Sequence, residues 1–171
     1  MTAEIADYER RSQELWASID DYSEEEFLAK IEELVAALPS DSALAAFERA
    51  CAFDSTGHPD RAVPLYRRAL ELGLDGERRR RSVIQLASSL RNLGQAAESL
   101  ELLEAERRRP SDDLDDAVSA VYALVLTDAG REREAVSVLL AALAPHLPRY
   151  QRSMANYARR LVQGELPKPT A

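Results

Sequence analysis

The sequence predicts an all-α protein built by stacking helical hairpins, and three observations carry that expectation. Apolar residues recur at three- and four-residue spacing almost from end to end, and no segment alternates apolar with polar residues long enough for a half-buried strand. Six glycines, eight prolines and three phenylalanines leave little material for turn-rich sheets. The chain also repeats itself around Gly57, Gly94 and Gly130, at spacings of 37 and 36 residues.

About nine helices are expected. The first has Ile5, Tyr8, Leu15, Trp16 and Ile19 as its apolar stripe and ends near Asp20 and Asp21. The second starts at Ser23 with Glu26 three residues on, a pairing that satisfies two otherwise free backbone donors. Its core face is Phe27, Ile31, Leu34, Val35 and Leu38, and Pro39 marks its end.

The repeats then supply the next six helices. Seven residues before each glycine stands alanine, at Ala50, Ala87 and Ala123, and four before it a large apolar residue, at Phe53, Leu90 and Leu126. Five after it comes a small residue, at Ala62, Ser99 and Ala135, and nine after it a large one, at Tyr66, Leu103 and Leu139. Ala69 and Ala142 recur three residues further on, where the middle repeat has Glu106, so looser packing is expected there. The glycine permits a tight turn, the small residues let two helices approach, and the large ones fill the gap. One hairpin cannot bury its own apolar face, so such units stack. Pro64 lies early in a second helix, where it removes a backbone bond unless the helix starts close to it.

The segment Gly57-His-Pro-Asp-Arg-Ala-Val-Pro-Leu-Tyr-Arg-Arg-Ala-Leu70 resembles the second half of a tetratricopeptide repeat, and Leu86-Ala-Ser-Ser-Leu-Arg-Asn-Leu-Gly94 resembles the first half of the next. The resemblance covers about 41–147, and residues 149–163 resemble the helix that closes such arrays. Together with an acidic leader, the segments Gly73-Leu-Asp-Gly76 and Tyr150-Gln-Arg-Ser-Met-Ala-Asn-Tyr157 are similar to those of small bacterial tetratricopeptide proteins without an assigned activity. The resemblance implies a right-handed superhelical stack of antiparallel helix pairs, an α-solenoid. The organisation expected is an acidic helix pair over 1–40, acting as a degenerate repeat or cap, then repeats over 41–74, 78–111 and 113–148. A capping helix over 149–163 and a flexible tail over 164–171 complete it, and one continuous body is expected from the length.

Charge narrows the function. The net charge is −8, but the first 34 residues hold eleven acids against three bases, and the remainder balances. That argues against nucleic acid, which needs a net basic face. The arginine runs Arg78 to Arg81 and Arg107 to Arg109 have acids nearby and no interleaved aromatics, so they read as solvated helix ends or salt-bridge partners. Cys51 is the lone cysteine, which excludes an internal disulfide and a cysteine-rich zinc site and fits a reducing compartment. No secretory leader is visible, and the longest apolar stretch, 136–144, is too short to cross a membrane. A cytoplasmic location is expected, with no membrane partner.

No residues assemble into a recognisable reaction centre. Phosphate loops, nucleophile elbows and metal-ligand spacings are missing from the sequence, and His58 and His146 read as turn residues. No enzyme, cofactor or metal is therefore expected. Instead, the resemblance implies that the first helix of each hairpin lines a concave groove, whose residues are those outside the packing registers. In the first repeat these are Phe47, Glu48, Cys51, Asp54 and Ser55. In the second they are Arg81, Ile84, Gln85, Ser88, Arg91 and Asn92, and in the third Ala120, Val121, Leu124, Thr127 and Asp128.

Such a groove is polar at first and apolar in its last third, which suits an extended peptide with an aliphatic anchor. Asp54 and Arg91 share a register, so they either contact a ligand or pair with each other. A carboxylate clamp of lysines and asparagines is not expected, because Lys30 and Lys168 lie outside the groove. The N-terminal helices could also fold across the groove, with Asp20, Asp21 and Glu24 to Glu26 facing Arg78 to Arg81. The function expected is a scaffold that binds a protein or peptide. The rival is a homodimer that pairs through Trp16, Tyr8 or outer apolar surfaces.

Overall fold

The structure, a computed structural model, describes residues 3–110 and 112–163, with side chains from residue 6 onward. The described residues hold nine α-helices and no strand: α1 (Ala3–Ala17), α2 (Glu24–Val35), α3 (Ala43–Ser55), α4 (Pro59–Glu71), α5 (Gly76–Asn92), α6 (Ala96–Glu106), α7 (Asp115–Asp128), α8 (Glu132–Leu143) and α9 (Gln151–Gln163). The side chain of Ile5, the tail 164–171 and Lys168 lie outside the described residues.

Local chemistry explains the ends of these helices. Ser23 caps α2 as its sequence predicts: the Ser23 N–H donates to the Glu26 carboxylate at 2.9 Å, and the Glu26 N–H donates to the Ser23 hydroxyl at 3.3 Å. The helix stops at Val35, short of Pro39, because Ala36 already caps it and Pro39 cannot follow in helical geometry.

At the other ends, one closure recurs. Gly57, Gly94 and Gly130 have φ of +83°, +76° and +72°, a region that residues with a Cβ enter only at a cost. The N–H of the next residue then reaches back to the large apolar residue of the register: His58 to the Phe53 carbonyl at 2.8 Å, Gln95 to Leu90 at 2.9 Å and Arg131 to Leu126 at 2.8 Å. Gly73 closes α4 in the same way, with the Leu74 N–H on the Ala69 carbonyl at 3.0 Å. Pro59 opens α4 at a position where a missing N–H does no harm, whereas Pro64 sits five residues inside and leaves the Asp60 carbonyl without its helical donor.

The chain divides into two compact units, residues 1–89 and 90–171. Repeat arrays have this tendency because each hairpin touches only its neighbours. In the first unit Phe27, Ile31 and Ala52 form a core against which Leu15, Trp16, Ile19, Tyr22 and Leu28 pack, and the Phe47 and Tyr66 rings lie 6.4 Å apart. In the second, Leu90, Leu103, Val118, Val125 and Leu126 are buried, and the Ser137 hydroxyl ties α8 to α9 through the Ala158 carbonyl at 2.7 Å.

Most repeat registers coincide with burial. Ala50, Ala87, Ala62, Ser99, Tyr66, Leu103 and Ala69 are fully enclosed, and Ala123 and Ala135 nearly so. Four positions differ, and two of them, Phe53 and Ala142, are only partly buried. Leu139, in register with Tyr66 and Leu103, is 44% exposed. Glu106 is buried at 2%, so its long side chain occupies interior volume at the alanine position instead of leaving it loose.

Candidate partner-binding site

In the first unit the expected binding face is built from α3 and α5, but α1 lies over part of it. Phe47, Glu48 and Cys51 are 1%, 3% and 3% exposed. The Trp16 Nε1–H donates to Glu48 Oε2 at 2.8 Å, and the Ser12 hydroxyl donates to Glu48 Oε1 at 3.4 Å. Glu9 pairs with Arg78 at 2.5 Å. A cleft of about 740 Å³ opens between these groups, lined among others by Gln13, Trp16, Glu48, Cys51, Arg78 and Arg81. Arg81 places its guanidinium 5.4 Å from the centre of the Phe47 ring.

The acidic leader therefore meets the arginine run through a different residue from those expected. Glu9 makes the contact, while Glu24 is taken by the His58 Nε2 at 2.5 Å and Glu26 by its own cap. Two acids at the head of α2 are thus engaged elsewhere, whereas Glu9 on α1 reaches Arg78 of α5. Trp16 and Tyr8, expected as contacts between two copies, are engaged within the chain: Tyr8 is 8% exposed, and the Trp16 ring stands edge-on to Phe27 at 5.1 Å.

Asp54 and Arg91 each have partners within their own unit. Asp54 accepts from the Ser89 hydroxyl at 2.7 Å and the Tyr66 hydroxyl at 3.3 Å. Burial pushes the Asp54 carboxyl above its ordinary pKa, and the two hydroxyl donors pull it partly back. Arg91 contacts Asp128, Nε to Oδ2 at 2.5 Å and Nη2 to Oδ1 at 3.3 Å. Of the two contacts only the one from Nη2 is a hydrogen bond, and the buried Nε has no hydrogen-bond partner, so the pair is an ion pair carrying one long hydrogen bond. Gln85 accepts from the Cys51 thiol at 3.5 Å, while Ile84 and Ser88 are half-buried on α5. Burial raises the Cys51 thiol to about 12, against weaker lowering by Tyr66 and Arg81, which makes it a poor nucleophile near neutral pH.

In the second unit the first-helix face is open. Asn92, Ala120, Leu124, Thr127 and Asp128 are exposed, Val121 is half-buried, and Leu124 shows 49% of its surface beside the Arg91–Asp128 pair. The tyrosine on the opposite side of α7, Tyr122, is buried and carries the Arg107 guanidinium 4.4 Å above its ring. Sequence reasoning expected Arg78 to meet the acidic leader and Trp16 to lie on the apolar stripe of α1, but missed Glu9 and Ser12 and the Trp16 bond to Glu48. The one available signal was that Glu9, Ser12 and Trp16 are spaced to share one side of a helix.

Among the described residues no cluster of histidine, cysteine and carboxylates could hold a metal ion, and no helix is long and apolar enough to cross a membrane. The model of the tetratrico peptide repeat family matches residues 43–161. Among solved structures, the nearly identical TPR-like repeats of a Podosopora anserina protein named as a kinesin light chain are similar. A single-site variant of it is 19% identical with a TM-score of 0.66, covering 96% of this chain and 95% of that one. Another structure of those repeats is 20% identical with a TM-score of 0.64, covering 91% of each chain. The MamA protein is 15% identical with a TM-score of 0.57, covering 98% of this chain and 82% of its own. No curated protein matches the sequence. At these identities the likeness concerns the fold, a helical solenoid of paired helices.

Proposed function

Since the chain belongs to the tetratricopeptide repeat family, whose repeats generally mediate protein–protein interactions, we propose that it is a non-catalytic scaffold that binds a peptide or partner protein on its first-helix faces. The observation that carries this reading is Leu124, an aliphatic side chain half open to solvent, with the Arg91–Asp128 ion pair and the exposed Asn92 amide in the same unit. An apolar anchor with polar groups is what an extended or helical peptide requires. The rest of the expected surface, Phe47, Glu48, Cys51, Asp54, Ile84, Gln85 and Ser88, belongs to the first unit and is buried or half-buried there.

The test is affinity capture from cell extract with the wild type beside an Arg91→Ala, Leu124→Glu double variant, with equal helicity verified for both. A protein retained by the wild type and lost by the variant supports the reading. Equal capture by both removes this face from it.

A second reading, self-association, is favoured by a separate observation. All eight exposed large apolar side chains among the described residues lie at position 93 or beyond, and Val136, Leu139 and Leu143 share one side of α8. In this reading two copies pair through α8. Light scattering then gives a dimer mass for the wild type and a monomer mass for Leu139→Glu.

A further inference from the structure

The attachment of α1 to the first unit is mixed in kind. Near its end, Trp16 and Leu15 pack against the core that contains Phe27. Along the rest, it meets α3 and α5 through polar groups: Glu9 on Arg78, Ser12 and Trp16 on Glu48. Here a cleft of about 740 Å³ remains beside α1, which is the size of a pocket that holds a ligand. The helix spans the face without filling it.

Glu48 is the centre of this arrangement. It is a nearly enclosed carboxylate, an acceptor only, and both of its oxygens take their donors from α1. Arg78 in turn takes a carboxylate from α1. Glu9, Ser12 and Trp16 are spaced i, i+3 and i+7, one face of a helix, so the surface beneath them is complementary to a helix with an acid, a hydroxyl and an indole in that order.

We propose that this face of α3 and α5 is a docking site for a partner's acidic amphipathic helix with that pattern, and that α1 is its tethered stand-in, displaced when the partner binds. The proposal deepens the scaffold reading and rests on it for the partner being a protein. Two features favour displacement. The Glu9–Arg78 pair keeps about a third of each side chain in solvent, so its hold on α1 is modest and salt weakens it in part. The partner's helix also regains each polar contact that α1 gives up, so Glu48 and Arg78 are never left unpaired in the exchanged state.

The chain carries its own reporters. Cys51 lines the cleft beneath α1, and Trp16 is the sole tryptophan. The experiment uses the full chain and its Glu9→Lys variant, which turns the attraction to Arg78 into repulsion, and follows Cys51 labelling by a soluble maleimide at constant pH. The variant is expected to label about fivefold faster, with a red-shifted Trp16 emission, near-unchanged helicity and a urea midpoint lowered only slightly, because α1 gives up its Trp16 and Leu15 packing while the rest of the unit stays folded. A synthetic peptide of residues 6–22, as the probe, then restores slow labelling, while the same peptide with Glu9→Lys does not. Arg78→Glu gives a second route to the same opening if Glu9→Lys folds poorly, and added sodium chloride gives a third in the wild type.

Unchanged labelling overturns the proposal, as does acceleration that merely follows global unfolding in urea, or a peptide that fails to protect. No outside partner is used, so such a failure leaves the scaffold reading to its own capture experiment, which alters residues of the second unit.

Discussion

At the scale of single residues, one repeat register has two different meanings. Tyr66 and Leu103 are fully enclosed, yet Leu139 in the same register is 44% exposed. Leu103→Ala should therefore cost about 2–5 kcal/mol, through lost burial and the cavity left behind. Leu139→Ala should fall within about 0.5 kcal/mol of the wild type, as surface substitutions do. Urea unfolding of both variants checks the contrast. The register itself was legible in the sequence because packing demands small and large side chains at fixed spacings. The exposure of Leu139 was not, since it depends on whether a further hairpin covers the last one. The same limit applies to Arg91. Its register pointed to Asp54, but a guanidinium on a long stem reaches several acids, and the contact made is to Asp128.

At the scale of the element, helix ends were the most legible features, because a cap needs only residues close together in the chain. The Ser23–Glu26 box is an example with a pH signature. The Ser23 hydroxyl and then its N–H hold the Glu26 carboxyl below the usual range. A carboxyl depressed in the folded state stabilises fully above its unfolded value of about 4.3. That contribution is lost as pH falls through the lower folded value. The difference in thermal midpoint between wild type and Glu26→Gln should accordingly vanish in strong acid and be full at neutral pH.

A second prediction concerns the glycine closures. A Cβ on Gly94 would meet nothing within 4 Å, so Gly94→Ala isolates the backbone cost of φ +76°. It should lower stability by about 1–2 kcal/mol, shifting the urea midpoint without changing the slope. The closure at Gly73 escaped the repeat analysis because that glycine ends a second helix and not a first, so it falls outside the spacing of Gly57, Gly94 and Gly130.

For the whole molecule, two compact units imply that stability is not uniform along the chain. Leu126→Ala removes a fully buried side chain from the second unit. Hydrogen exchange should then accelerate mainly across residues 90–163, with smaller change in 3–89, because coupling in repeat arrays runs through nearest neighbours. Equal acceleration in both would mean a single cooperative body. The paired-helix fold was legible at this scale from repetition alone. The covering of α3 and α5 by α1 was legible only as a possibility, since the sequence named the wrong acids: Glu9, Ser12 and Trp16 meet Arg78 and Glu48 across separations that no local pattern encodes.

The distribution of exposed apolar side chains has one more consequence. Acidic excess belongs to the first 34 residues, and every large exposed apolar residue among those described lies at position 93 or later. Net negative charge and exposed oiliness are thus segregated along the sequence. Added salt screens the first and strengthens burial of the second. Salting-out of this protein should accordingly begin at its C-terminal unit, and a hydrophobic-interaction column should grip the molecule by α8 and release Leu139→Glu earlier than the wild type.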